Sequence, residues 1–403
     1  MDTFLNFLTC GTSFSQPSSF PVADGPFNVG YTDIMTKGSP ETGSFFRLHY
    51  PAPAHTRMTN PPLWADRETR HGLINFVQAM AYNWPSWVNN SEFLLLPAIK
   101  KVLDPKAFAT TFNVGWKAIG KKLTIPICLN AQIEDPAGSG GWPVVVFSHG
   151  MGCNRFIMSQ LCYQLASQGV VVAAVEHRDG SGCGSFYMLE KDDGKLEKHL
   201  VPHRTVPIDD GDVEYLTRNE QIQHRSDELI RVIDILAKLN AGEQVENVVE
   251  VDQMSRQLDL TSIKSCLDLH KNLFLLGHSF GGGSVLLTAS KDSRVKSVLA
   301  LDPWMFPVSR QNFVIDTPAY VLNTDKFLNE NNINVIKEAS KDNHRVKFKV
   351  LRGGVHLSAT DVPAIFPSTI IRRSLGFMDK VDPGIAMRQT NQMVLDWFKR
   401  VVC

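Results

Sequence analysis

The hydrophobic pattern of the chain becomes regular from residue 143 onward. Short all-apolar segments alternate there with helical stretches: Val144 to Phe147, then Ser159 to Ser167, then Val170 to Val175. Strands without a polar face belong to a parallel sheet covered by helices on both sides. A polar, Gly-rich excursion from Asp179 to Asp212 leads into a long helix. Its Leu229, Ile233, Leu236 and Leu239 are spaced by four, three and three residues and share one buried face. Strands are expected at Asn272 to Leu276, Val295 to Leu301, Ala319 to Asn323 and Arg345 to Leu351, with helices from Gly281 and near Asn391 to Val401.

Upstream, Gly43 to Tyr50 and Lys122 to Ala131 have the β-branched and aromatic content of strands, and each is followed by a proline. Between them, Pro61 to Gly120 carries an apolar load (Trp64, Phe76, Met80, Trp84, Trp87, Ile99) too heavy for a surface loop. It is expected to be a helical insertion that packs on the sheet or forms an apolar cap. Residues 1–19 read as a mobile tail. No repeat interrupts the rest, so residues 20–403 are expected to form one α/β domain.

Composition narrows the partners. Lys+Arg of 41 against Asp+Glu of 41 leaves no net charge to attract a phosphate backbone, so nucleic acid is not an expected partner. Seven scattered cysteines without a C-x-x-C pair read as reduced thiols. The N-terminus places Asp2 where a secretory signal carries basic residues. The apolar runs fall short of the roughly 20 residues of a membrane span. A cytoplasmic protein is the expectation.

The chemistry centres on Gly277-His278-Ser279-Phe280-Gly281, between the strand ending at Leu276 and the next helix. A G-x-S-x-G at that junction is a nucleophile elbow of the α/β-hydrolase kind: its glycines tolerate the strained turn, and its serine stands above the sheet at a helix N-terminus. The alternative is an incidental serine in a Gly-rich turn. A serine hydroxyl needs a histidine base, itself oriented by a carboxylate, in the chain order Ser, acid, His. Of the two histidines after Ser279, His344 sits in a polar turn, whereas His356 follows a strand and the Gly353-Gly354 turn. His356 is therefore the candidate base. Asp302 and Asp325 both stand at the carboxyl end of an apolar strand, and spacing does not choose between them. Two backbone N–H groups must meet the developing oxyanion. Phe280 supplies one, and Met151, in Ser148-His149-Gly150-Met151-Gly152 after an early strand, supplies the other. His149 and His278 read as shaping their turns. Nothing has the spacing of a zinc motif, a calcium loop or a phosphate loop, so neither metal nor cofactor is expected.

Four motifs in order, Gly43-Ser44-Phe45-Phe46-Arg47-Leu48, Ala173 to Asp179, the elbow with Gly282, and Leu301-Asp302-Pro303-Trp304, resemble the platelet-activating factor acetylhydrolase family. The resemblance runs from about Phe20 to the C-terminus. It implies an α/β-hydrolase fold with a mostly parallel sheet, and a calcium-independent phospholipase that cleaves acetyl and short or oxidised acyl groups from the sn-2 position. It also implies a triad of Ser279, Asp302 and His356, which resolves the choice of acid, with oxyanion donors at Met151 and Phe280. The absent secretory signal places the chain nearer the intracellular branch. That branch typically carries a myristoylated glycine after the initiator, where this chain has Asp2, and Cys403 stands too late for prenylation. Alternatives are a short-chain carboxylesterase or neutral lipase on the same fold, or a non-catalytic lipid-binding module. Peripheral membrane contact is expected through Ile365, Phe366, Ile370 and Ile371, with Arg372 and Arg373 beside them.

Overall fold

Alternation along the central strands decides the layout. In the computed structural model, which describes residues 19–56, 61–65, 72, 123–138, 140–206, 211–249, 258–365, 372 and 380–402, Val144 and Val146 face one layer and Val145 and Phe147 the other. Leu273 and Leu275 likewise part from Phe274 and Leu276. Both faces are apolar because both are covered, as a parallel sheet requires.

The strands are β1 (Asn28–Met35), β2 (Phe45–Ala52), β3 (Cys128–Leu129), β4 (Trp142–Ser148), β5 (Val171–Val175), the hairpin strands β6 (Ser185–Glu190) and β7 (Leu196–Val201), β8 (Leu267–His278), β9 (Ser297–Leu301), β10 (Ala319–Thr324) and β11 (Val346–Leu351). Among the described residues the main sheet has nine strands in the order β11-β10-β9-β8-β4-β5-β2-β1-β3. From β11 to β5 all neighbours are parallel, and β2 is antiparallel to both β5 and β1. Among the described residues the longer helices are α1 (Ser159–Ser167), α2 (Asp212–Ala241), α3 (Phe280–Lys291), α4 (Glu330–Ala339) and α5 (Pro383–Val401), and a single turn spans Val362–Ile365. Leu229, Val232, Ile233 and Leu236 of α2 pack on one face with α3, while Leu161 and Leu165 of α1 and Val394, Trp397 and Phe398 of α5 cover the other.

Sequence pattern and structure part company at several places. Among the described residues of the stretch from Lys122 to Ala131, which begin at Leu123, a strand forms only over Cys128–Leu129, with Thr124 in isolated bridges to Ser19 and Leu63, because Pro126 has no N–H to give a ladder and Ile127 N turns back to the Ile125 carbonyl at 2.9 Å. Within the Gly-rich excursion lies the antiparallel hairpin β6–β7. The Asn-rich segment before Ala339 is the helix α4, started by Asn329, whose side chain accepts from Asn331 N and Asn332 N. Helix α5 begins at Pro383, well before Asn391, with Asp382 capping Gly384 N. Residues 1–18, the segment from Trp84 to Ile99, and Phe366, Ile370, Ile371 and Arg373 lie outside the described residues. Arg372 is tied inward: its Nε donates to the Pro363 carbonyl at 3.0 Å and its Nη1 lies 3.4 Å from Asp382.

The strand order reverses between β4 and β8: the chain runs from β4 to β5 on one side and from β8 to β11 on the other. The loops leaving the carboxyl ends of these two neighbours flank a crevice, the place where open α/β sheets bind ligands.

Candidate active site

Ser279 sits between the end of β8 and the start of α3 at φ 58°, ψ −120°. A non-glycine residue there is strained by about 1–3 kcal/mol and persists only when its surroundings enforce it. The enforcement is visible. Ser279 N donates to the Leu301 carbonyl, and the Ser279 carbonyl accepts from Trp304 N, both at 2.9 Å. The elbow is thus stitched to the residues on either side of Asp302, itself at φ 44°. The two motif glycines are needed for close approach: a Cβ on Gly277 would overlap the Gly281 carbonyl, and one on Gly281 the Ser148 carbonyl.

This stitching brings three of the expected residues into one hydrogen-bonded chain. Ser279 Oγ lies 2.9 Å from His356 Nε2, and His356 Nδ1 lies 3.1 Å from Asp302 Oδ2. Asp302 accepts further from Thr324 N at 2.6 Å and Thr324 Oγ1 at 2.7 Å. A carboxylate receiving N–H and O–H donors on both oxygens keeps the proton on Nδ1, so Nε2 presents its lone pair to the serine. The His356 side chain is 19% exposed and that of Asp302 only 3%, so the base reaches solvent while its orienting charge does not. Asp325, the other candidate acid, turns to Gly353 N at 3.0 Å. His344 is exposed at the far end of β11.

The His356 ring is stacked on Phe327, with centroids 3.8 Å apart, and on His278 at 4.6 Å. His278 Nε2 lies 2.9 Å from the His356 carbonyl, and burial, reinforced by the nearby His356, pushes its imidazole down to about 3. It is therefore neutral and serves as a donor that fixes the loop. His278, Asp302 and His356 also form, among the described residues, the single cluster with metal-ligand spacing. Two of its members already serve the serine, and His278 Nε2 is engaged with a carbonyl.

Met151 and Phe280 flank the serine from β4 and from α3. A Cβ on Gly150 would stand 3.1 Å from Ser279 Cβ, which sets the Met151 loop directly beside the nucleophile. Phe280 is the first residue of α3, and among the described residues neither N–H has an acceptor. Two unsatisfied donors beside a strained serine suit an oxygen that becomes negative.

Beneath this loop lies a network that the sequence reading missed. Ser148 Oγ lies 2.7 Å from His177 Nε2, and His177 Nδ1 lies 2.9 Å from Glu228. The arrangement copies a Ser-His-carboxylate chain, but all three residues are buried. Burial pushes His177 below its ordinary range. It also opposes ionisation of Glu228, yet the hydrogen bond from His177 and the approach of His224 Nε2 to 3.5 Å hold that carboxyl well below the usual range. Arg178 also donates to Glu228 through Nε at 3.4 Å. Helix α2 supplies Glu228 together with Arg218, Gln221 and Arg225, spaced three, four and three and all buried. In sequence that polar stripe at helical spacing is indistinguishable from a solvated face.

Comparison with known proteins adds the family. A family profile described as platelet-activating factor acetylhydrolase, isoform II, matches residues 12–84 and 81–402. A platelet-activating factor acetylhydrolase of Gallus gallus is 30% identical over 390 residues, covering 94% of this chain and 83% of its own length. Its counterpart in Bos taurus is 30% identical over 95% of this chain and 77% of its own. A putative phospholipase A2 of Schizosaccharomyces pombe is 25% identical over 66% of this chain and 69% of its own. Among solved structures, a ferulic acid esterase from Streptomyces cinnamoneus superposes with a TM-score of 0.54 at 17% identity, over 96% of this chain and 94% of its own, which shows the α/β-hydrolase type of fold.

Proposed function

The chain belongs to the platelet-activating factor acetylhydrolase, isoform II, family, and on that premise we propose that it is a calcium-independent serine esterase acting on phospholipids with an acetyl or a short or oxidised acyl group at the sn-2 position. The observation that carries this reading is the Ser279–His356–Asp302 chain on a strained elbow, with contacts of 2.9 and 3.1 Å.

In the proposed reaction Ser279 Oγ bonds to the ester carbonyl carbon while its proton passes to His356 Nε2. The carbonyl π pair moves onto oxygen, which accepts from the N–H groups of Met151 and Phe280. Collapse expels the sn-2 oxygen of the lysophospholipid, which takes the proton from His356. Water then attacks the acyl-enzyme, its proton going to the same Nε2, and Ser279 leaves with it. Asp302 holds the Nδ1 proton and stabilises the imidazolium throughout. No step calls for a cation.

The test is direct. A fluorophosphonate labels Ser279 stoichiometrically, Ser279→Ala loses ~10³-fold or more in kcat with its fold kept, and a calcium chelator leaves hydrolysis unchanged. Substantial activity in purified Ser279→Ala refutes the assignment.

For location we propose the cytoplasm, with peripheral membrane contact through Ile365, Phe366, Ile370 and Ile371. Their apolar run in the sequence, close after His356, supports this. With no net charge to supply attraction, neutral vesicles should bind at moderate salt, and Ile365→Ser with Phe366→Ser should abolish binding while sparing a soluble ester. Unchanged vesicle binding would remove the patch from the proposal.

A further inference from the structure

Met151 lies between two glycines, and the freedom of Gly150 lets the Gly150–Met151 peptide flip more readily than one between two residues with side chains. Such a flip would aim the Gly150 carbonyl, instead of the Met151 N–H, at the reacting oxygen. The structure pins the loop at three places, this peptide and the one on either side of it. The Gly150 carbonyl accepts from His149 Nδ1 at 2.8 Å and, over a longer 3.3 Å, from Cys153 N, and because a trans peptide sends C=O and N–H in opposite directions, holding the carbonyl sets the Met151 N–H. The imidazole carries its proton on Nδ1 because Nε2 accepts from His177 N at 3.2 Å. Burial, with the charge of Arg225 beside it, keeps the ring neutral.

Arg225 holds the other two places. Its Nη1 donates to the His149 carbonyl at 2.5 Å, and its Nε and Nη2 donate to Ser181 Oγ at 3.0 and 2.7 Å. The Ser181 carbonyl in turn accepts from Gly152 N at 2.7 Å. The guanidinium also lies 4.5 Å from the ring centre of Phe280, the other expected donor residue. Its charge is met by Asp179 at 2.9 Å. An apolar side chain of similar size would fill this space and spare the desolvation of two ions. It could not hold both flanks of Met151 while packing on Phe280.

We propose that Arg225, acting through His149, is a positioning residue that locks the oxyanion hole in its competent conformation. The inference rests on Met151 and Phe280 being the oxyanion donors. Arg225→Lys keeps a cation for Asp179, but a compact ammonium on a flexible stem lacks the rigid fork whose separate nitrogens hold the His149 carbonyl and Ser181 in fixed directions. It should lower kcat by ~10²-fold, the scale of losing one oxyanion donor, with KM within about twofold. A trifluoromethyl ketone, bound as a hemiketal oxyanion, should lose affinity by the same factor. His149→Leu should repeat this pattern. His149→Asn, whose Nδ2 reaches the same carbonyl, should recover most of the activity. Thermal melting and fluorophosphonate titration keep every value per folded active site.

The inference is overturned if folded Arg225→Lys and His149→Leu keep kcat near the parent's, if kcat falls while ketone affinity stays, or if His149→Asn rescues nothing. If Arg225→Lys does not fold, the His149 pair decides. If no variant folds, the two residues are structural and the inference fails. Activity in Ser279→Ala would instead strike the assignment of the nucleophile, and the two failures are therefore distinct.

Discussion

Helix α2 is one rod with two interiors. Toward its C-terminus Leu229, Val232, Ile233, Leu236 and Leu239 enter the core against the sheet and α3. Toward its N-terminus Arg218, Gln221, Arg225 and Glu228 are just as buried, beneath the carboxyl ends of β4 and β5. The apolar half gains stability from area removed from water and is indifferent to detail: any side chain of the right size fits. In the polar half each charge must find its partner, because an unpaired ion costs several kcal/mol in the interior. One end therefore holds the fold and the other holds a geometry.

The same contrast explains what could be read from the sequence. Apolar runs and their periods gave the parallel strands and the face of Leu229 to Leu239, because hydrophobic burial leaves a signature at every second or every third and fourth position. The elbow was legible because a strained turn between strand and helix needs glycines at fixed offsets. Spacing could not choose between Asp302 and Asp325. Both end a strand, and only the three-dimensional course of the loops turns one to His356 and the other to Gly353. The polar half of α2 was illegible for a related reason: its residues look like a solvated face until the sheet edge that covers them is known. Ser148, His177 and Glu228 come from two strand ends and a helix, and no local pattern joins them.

The largest test of the contrast is at the acid itself. Asp302→Asn should lower kcat by about 10⁴-fold, since the imidazole loses the partner that sets its tautomer, while Asp325→Asn should cost little. Stopped turnover on a soluble ester, corrected for folded enzyme, gives the ranking. The reverse order would place the functional carboxylate outside the buried polar layer and break the contrast.

One step down in size, the two halves of α2 can be set against each other. Glu228→Gln removes the charge that faces His177 and Arg178 and should destabilise by about 3–5 kcal/mol. It should also lower kcat several-fold, because His177 N is what fixes the His149 ring. Leu236→Ala should destabilise by about 2–5 kcal/mol through its cavity and leave kcat per folded molecule unchanged. Denaturant melts paired with active-site titration separate the two quantities. If both variants lose stability alone, the polar half is core like any other.

A buried carboxyl outside α2 sharpens the point at the smallest scale. Asp361, five residues after His356, accepts from Trp64 Nε1 at 2.8 Å and from Gln160 N at 3.2 Å, with the Ser159 N–H also turned to it, and all of these donors are neutral. Burial outweighs them and lifts the carboxyl to about 7. Asp179 is equally buried but faces Arg225, and there the cation overcomes burial and holds the carboxyl below its usual range. The two act on stability in opposite directions. A carboxyl raised in the folded state binds its proton more tightly there than in the unfolded chain, so its contribution is whole below pH 3.8 and is lost as pH rises to about 7. Between pH 5 and pH 7 that loss is about 2 kcal/mol. Asp179 and Glu228, with depressed values, lose their contributions only as pH falls below the ordinary carboxylate range. Asp361→Asn should therefore flatten the fall in stability between pH 5 and pH 7 and leave the acid limb in place. Equal slopes for parent and variant would mean that Trp64 and the start of α1 already stabilise the ionised form, and that a neutral shell can do the work of a cation.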